Sequence, residues 1–228
     1  MPKKRGIQRF MNKSKIGLFG GTFNPVHLGH LWAAEIVQKR ISLEKVLFIP
    51  SYIPPHKETF NMASPLHRLQ MVELACAPYP RFIPSSIEIE ERGTSYSIYT
   101  LKKIKEFFPD ALFFFILGID AFLEIETWKD YEKLIQNCSF IVISRPGYDL
   151  DSARGVLVGK YKEKIIDLAG SNVSMEDTLS SFRIFLLPLD ALNIASSEIR
   201  KRIRNGVSVK DMISDNVEEY IKKHKIYS

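Results

Sequence analysis

The chain has 228 residues, of which 45% are hydrophobic and 25% charged, a balance that fits a globular protein and excludes a disordered or fibrous one. Its formal net charge is +6. That excess lies in residues 1–15, where Lys3, Lys4, Arg5, Arg9, Lys13 and Lys15 occur without an acid, so residues 16–228 are formally neutral. A nucleic-acid-binding fold carries its basic excess within the fold, so no nucleic-acid partner is expected. Cys76 and Cys138 form no CxxC or zinc pattern and read as buried free thiols of a reducing compartment. No apolar run has the length of a membrane span, and none of signal-peptide type follows the basic leader. A cytoplasmic protein with no membrane partner is the resulting expectation.

Short apolar runs alternate with helical patterns along the chain. Strands are expected at Ile16–Phe19, Val46–Ile49, Arg81–Ile89, Ala111–Leu117, Phe140–Ser144 and Phe182–Leu187. Helices are expected at Leu28–Lys39, Pro65–Ala75, Ser97–Phe107, Tyr131–Gln136, Ser197–Arg204 and Val217–Lys223. Ser64 and Pro65 suit the cap and first position of the second helix. The run from Leu112 to Leu117 is apolar at every position, as in strands covered on both faces. The pattern predicts an α/β fold: a Rossmann-like, mainly parallel sheet with helices on both faces and a small C-terminal helical part. Tyr148–Ser181 is the least legible stretch, with a helix expected around Lys160–Leu168.

The first strand leads into Gly20-Gly21-Thr22-Phe23-Asn24-Pro25-Val26-His27-Leu28-Gly29-His30. Adjacent glycines allow a sharp turn and close approach of a ligand to the backbone. His27 and His30, three residues apart at the start of a helix, can face one side and add donors to a helix end that favours anions. The alternatives are a glycine turn with helix-capping histidines, or a zinc pair, for which no third ligand is evident. Neither GxGxxG nor GxxxxGK[ST] occurs, which disfavours a dinucleotide fold or a P-loop kinase.

The segment His27-Leu28-Gly29-His30 resembles the HxGH motif of the nucleotidyltransferase superfamily, and GGTFNPVHLGH resembles bacterial nicotinate-nucleotide adenylyltransferases. That family usually has Asp where this chain has Asn24. The resemblance continues in Pro54-Pro55-His56-Lys57, in Gly93-Thr94-Ser95-Tyr96-Ser97, and in Gly118-Ile119-Asp120 followed by Trp128. It extends to Arg145-Pro146-Gly147 and to Asn193-Ile194-Ala195-Ser196-Ser197-Glu198-Ile199-Arg200. In the last of these Ala195 stands at the family's first serine. Taken singly, Pro54–Lys57 reads better as a proline-rich connection, Trp128 as a core residue, and the other segments about as well as a helix cap or an exposed turn; Ser95 or Ser97, and Ser196 or Ser197, would be the caps. The matches span about residues 16–205.

The resemblance implies a nucleotidyltransferase domain over residues 15–228, its helical part from about 190; the charge run of residues 1–14 reads as a disordered leader. It implies transfer of AMP from ATP to nicotinate mononucleotide, giving deamido-NAD and pyrophosphate in NAD biosynthesis, with nicotinamide mononucleotide as the alternative acceptor. A non-catalytic nucleotide-binding protein is the rival from a different class. The implied catalytic residues are His27, His30, Lys57 and Arg200. The ATP site comprises Gly20, Gly21, Thr22, Phe23, His27, His30, Gly118, Asp120, Arg145, Ile194, Ser196, Ser197 and Arg200. The acceptor site comprises Asn24, Lys57, Thr94, Tyr96, Ser97, Trp128 and Lys129. Mg²⁺ would be held by the ATP phosphates, with no metal ligand from the protein. The sequence leaves open whether the chain forms a homo-oligomer.

Overall fold

The computed structural model describes residues 13–55, 62–156, 161–169, 182–190 and 192–228. Most of the expected basic leader and Lys57 therefore lie outside the described residues. Seven parallel strands form one sheet: β1 (Lys15–Gly21), β2 (Lys45–Pro50), β3 (Phe82–Pro84), β4 (Leu112–Gly118), β5 (Ser139–Ile143), β6 (Ile165–Asp167) and β7 (Ile184–Leu187). Their spatial order is β3-β2-β1-β4-β5-β7-β6, and every pairing is parallel. The order reverses beside β1, whose neighbours are β2 and β4. A crevice at such a switch point, at the carboxyl ends of the strands, is where open α/β sheets bind ligands.

Helices α1 (Leu28–Ile41), α2 (Pro65–Cys76), α3 (Ile87–Glu91), α4 (Ser97–Phe107), α5 (Ile119–Leu123), α6 (Tyr131–Asn137), α7 (Ser196–Arg204) and α8 (Asp215–Lys223) cover the sheet. Strand β4 shows why its sequence is apolar throughout. Phe114 and Ile116 point to the face packed by Leu31, Val37, Met71 and Ile199, while Phe113, Phe115 and Leu117 point to the face packed by Leu101, Ile104 and Phe122. Each such side chain contributes about 1.5–3 kcal/mol by leaving water, so both faces reward the same composition. At the start of α2, Ser64 Oγ accepts the His67 amide and Pro65 occupies the first turn, as expected.

Two expected elements are corrected. The strand expected over Arg81–Ile89 ends at Pro84, and the chain then turns at Ser86 into α3. Pro84 has no amide hydrogen to continue a ladder, and the Ser85 amide donates to Phe48 O as the chain leaves the sheet. The helix expected around Lys160–Leu168 is instead a 3₁₀ turn at Lys162–Lys164 followed by β6. Ile165 and Ile166 there pair with Ile184 and Phe185, so β-branched residues at a sheet edge prevail over weak helical periodicity. Helix α5, which follows β4 directly, was not anticipated from the pattern.

Candidate active site

A cleft of about 740 Å³ opens at the carboxyl ends of β1, β2, β4 and β5. It is lined by Gly20, Gly21, Thr22, Phe23, Asn24, His27, His30, Gly118, Asp120, Arg145, Ile194, Ser196, Ser197 and Arg200, and by Tyr96, Ser97, Trp128 and Lys129. Of the residues implied by the family resemblance and described in the structure, only Thr94 is missing from this lining. Thr94 forms a bridge with Ile53, and its neighbour Ser95 lines the cleft instead. Pro54 and Pro55 also line it, and they lead to residues 56–61, which lie outside the described residues.

The loop between β1 and α1 is built differently from the glycine turn expected. Gly20 and Gly21 remain in β1, paired with Ile49 and Pro50. The turn falls at Phe23, with φ 47°, and at the cis Asn24–Pro25 peptide. A left-handed conformation is costly for a large side chain, about 1–3 kcal/mol, and persists where the surroundings over-determine it. Here three nearby carbonyls are each held by a side chain. Arg68 Nη1 donates to Thr22 O at 2.8 Å, Arg200 Nη1 to Asn24 O at 2.9 Å, and Ser196 Oγ to Pro25 O at 2.9 Å. Phe23 buries its ring edge-on against His30, with centroids 5.1 Å apart.

His27 occupies the cap position of α1 and His30 its first turn. Their rings overlie one another, with centroids 3.6 Å apart and planes inclined by 31°. The His27 amide donates to His30 Nδ1 at 3.2 Å. A ring nitrogen that accepts carries no proton, so in neutral His30 the proton is on Nε2, which makes that atom a donor. His27 is buried, and its pKa falls to about 3, because burial penalises the cation and the Arg145 charge opposes it further. His27 is thus a neutral imidazole at physiological pH, and its buried Nδ1 has no hydrogen-bond partner within the protein. The helix end contributes less than the sequence suggests, since the Leu28 amide donates to Met212 O and the His30 amide to His27 O. The imidazoles carry much of the donor capacity.

Gly29 explains the glycine between the histidines. A Cβ there would lie 3.1 Å from His27 Nδ1 and 3.8 Å from Ile194 Cβ. A side chain there would require the imidazole to shift by a few tenths of an ångström. Gly118 plays a similar part at the end of β4, where a Cβ would meet Asp120 Oδ1 at 2.3 Å and Arg145 Nε at 2.7 Å. Asp120 and Arg145 approach within 3.7 Å, an ion pair rather than a hydrogen bond. Asp120 Oδ1, Arg145 Nε and Arg200 Nε are buried without hydrogen-bond partners in the protein, as is His27 Nδ1. Ser51 Oγ, on another lining residue, is a fifth; native proteins satisfy most buried polar atoms, so five such atoms on residues of one cleft mark a site for a polar ligand.

The serine caps expected at α4 and α7 are not used. Tyr96 holds the cap position of α4 and Ala195 that of α7, both without a side-chain bond. Ser95 Oγ instead accepts the Tyr52 amide, and Ser196 anchors Pro25. At the far end of the cleft Trp128 packs edge-on against Phe115, with centroids 6.2 Å apart. Lys129 Nζ lies 4.7 Å from the Tyr96 ring and 4.9 Å from the Tyr99 ring, a cation–π arrangement. Asn24 is buried and its Oδ1 accepts from Ala63 N and from Tyr227.

Sequence reasoning missed Arg68, Glu88 and Tyr227. Arg68 is fully buried and donates to three backbone carbonyls, those of Thr22, Tyr52 and Ala63, and so ties the β1–α1 loop to both flanks of the loop after β2. Burial lowers its pKa to about 10, which leaves it charged at neutral pH. The signal was legible: Arg68 falls in register with Met71, Val72 and Ala75, on the apolar face of α2. Glu88 lines the cleft and accepts from Thr100 Oγ1 at 2.6 Å; burial raises its pKa, opposed by bonds from Thr100 and Ser95.

A parallel sheet with paired imidazoles, two arginines and buried unpartnered donors at its switch point defines a nucleotidyltransferase. The cytidylyltransferase-like family model matches residues 18–202. A protein of Geotalea daltonii named "Probable nicotinate-nucleotide adenylyltransferase" is 39% identical over 94% of this chain and 98% of its own length. One of Desulfatibacillum aliphaticivorans with the same name is 40% identical over 93% and 99%. The solved nicotinic acid mononucleotide adenylyltransferase of Plasmodium falciparum complexed with NaAD superposes with a TM-score of 0.69, at 21% identity over 94% of this chain and 97% of that one. The chain belongs to the cytidylyltransferase-like family and, within it, to the nicotinate-nucleotide adenylyltransferases. No helix among the described residues is long and apolar enough to cross a membrane.

Proposed function

We propose that this chain transfers AMP from ATP to nicotinate mononucleotide, releasing pyrophosphate and forming deamido-NAD. The observation that carries the reading is the convergence of His27, His30, Arg145 and Arg200 on one cleft, where His27 Nδ1, Arg145 Nε and Arg200 Nε have no hydrogen-bond partner in the protein. Two anions must meet there, and at a few Å each unit pair of like charges costs several kcal/mol even at an effective dielectric of about 20. The arginines and imidazoles offset that repulsion.

The acceptor phosphate is already ionised, so no nucleophilic side chain is required. One of its oxygens attacks the α-phosphorus of ATP. The new P–O bond forms as the bond from the α-phosphorus to the α–β bridging oxygen breaks, and pyrophosphate departs with that oxygen. Catalysis then rests on alignment and on stabilising charge as it moves towards the leaving group. His30 Nε2–H is the main donor to the transition state. His27 orients a phosphate oxygen as a neutral group, and Arg200 and Lys57 add charge. Asp120 binds ribose hydroxyls, and Trp128 stacks on the pyridine ring.

We propose that Mg²⁺ enters with the ATP phosphates and water rather than on protein ligands. Such an ion would shield the triphosphate, and the histidines and arginines would hold the complex. The buried thiols of Cys76 and Cys138 suit a reducing cytoplasm. The test is kcat/KM for nicotinate and nicotinamide mononucleotide in parallel. A clear preference for the nicotinate form supports the proposal; a preference for the amide would reassign the acceptor.

A further inference from the structure

Beyond α8 the backbone remains hydrogen-bonded to the helix. The amides of His224, Lys225 and Ile226 donate to the carbonyls of Tyr220, Lys222 and Ile221, and Ile226 is buried. Lys225 and Tyr227 take φ values of 51° and 70°, a left-handed backbone that residues with side chains adopt at a cost. That path carries the Tyr227 hydroxyl into the interior, where it donates to Asn24 Oδ1 at 2.7 Å. Burial holds the phenol well above its usual pKa, outweighing the charges of Arg200 and Arg68, so it remains a donor at any working pH.

Asn24 is a junction. Its Oδ1 also accepts the Ala63 amide at 3.0 Å, and its carbonyl accepts Arg200 Nη1 at 2.9 Å. One residue thus joins the β1–α1 loop, the chain entering α2, helix α7 and the C-terminal tail. Three positions further on is His27. We propose that Tyr227 is a positioning residue for adenylyl transfer, which fixes Asn24 and through it the arrangement of Arg200 and the paired imidazoles. The inference rests on the function proposed above. It makes residues beyond α8 part of the machinery, although Tyr227 does not line the cleft.

The test is Tyr227→Phe in the full chain, with folding checked by circular dichroism. Loss of one hydrogen bond in the support of the site predicts a fall of about three- to tenfold in kcat/KM, mostly in kcat, on fully folded protein. ATP affinity, read by calorimetry without acceptor, should also weaken about threefold or more, which remains informative even if the acceptor is another mononucleotide. An inactive parent enzyme that still binds ATP would strike the proposed function and leave this readout in place. A double variant with Asn24→Ala should be no slower than Asn24→Ala alone, because the hydroxyl acts through that side chain. Parent kinetics and ATP affinity with only a lower melting temperature, an unfolded Tyr227→Phe protein, or deficits that multiply independently would each overturn the proposal.

Discussion

Arg145 and Asp120 face each other at 3.7 Å across the Cα of Gly118, at the end of the central strand β4. The pair holds a cation and a hydrogen-bond acceptor side by side in the cleft. The glycine is what lets them close.

Replacing Gly118 by Ala should separate that pair. The added methyl would stand 2.3 Å from Asp120 Oδ1 and 2.7 Å from Arg145 Nε, both far inside contact distance. Because both residues are assigned to ATP, the expected outcome is a rise of about tenfold or more in KM for ATP, with a smaller change for the acceptor. Steady-state kinetics with each substrate varied in turn checks it.

Gly29→Ala should act on kcat. The methyl would meet His27 Nδ1 at 3.1 Å, tighter than most such contacts, and Ile194 stands behind it. The ring must give by a few tenths of an ångström, and since a displacement of about 1 Å in a positioning group can cost about 100-fold, a fall of about two- to tenfold in kcat is expected with the melting temperature nearly unchanged. A normal kcat in this variant would detach His27 from the chemistry.

Arg68→Met should act mainly on stability. The substitution leaves the carbonyls of Thr22, Tyr52 and Ala63 buried without their donor, and each such group costs about 1–3 kcal/mol. A lowering of the melting temperature by several degrees or more is expected, with Arg68→Lys intermediate, since an ammonium cannot span the three carbonyls as a guanidinium does. Calorimetric melting of the two variants decides.

The buried His27 gives stability a pH dependence with a definite sign. Its pKa is about 3 in the fold and near 6.5 when exposed. Between those values the unfolded chain binds a proton that the folded chain does not. This contribution is neutral above pH 6.5 and destabilises by about 1.4 kcal/mol per pH unit as pH falls through the window. His27→Gln should flatten the slope of melting temperature against pH between about 6.5 and 4 relative to the parent. An unchanged slope would place the acid sensitivity elsewhere.

The parts of this architecture that were legible in the sequence are those where composition and geometry agree. The all-apolar run of β4 reads as a strand covered on both faces, and it is one. The glycine and histidine spacing of the β1–α1 segment marks the site because close approach admits few other residues. The turn itself was misplaced from the glycines to Phe23, since a left-handed phenylalanine held by three side chains cannot be read from a local pattern. The edge strand β6 was missed for a related reason: three residues beside β7 carry too little periodicity to compete with a helical reading. Tyr227 was invisible because its partner Asn24 lies 203 residues away, although Arg68 announced itself as a charge on an apolar helical face.

The most direct test of the central claim uses ATP labelled at either the α- or the γ-phosphate, with nicotinate mononucleotide as acceptor, for the parent and for His30→Ala. In the parent, α-label should appear in the dinucleotide and γ-label in pyrophosphate; loss of the His30 donor should slow both about 100- to 1,000-fold in a folded protein. Transfer of γ-label to the acceptor, or a His30→Ala enzyme turning over at the parent rate, would contradict the account.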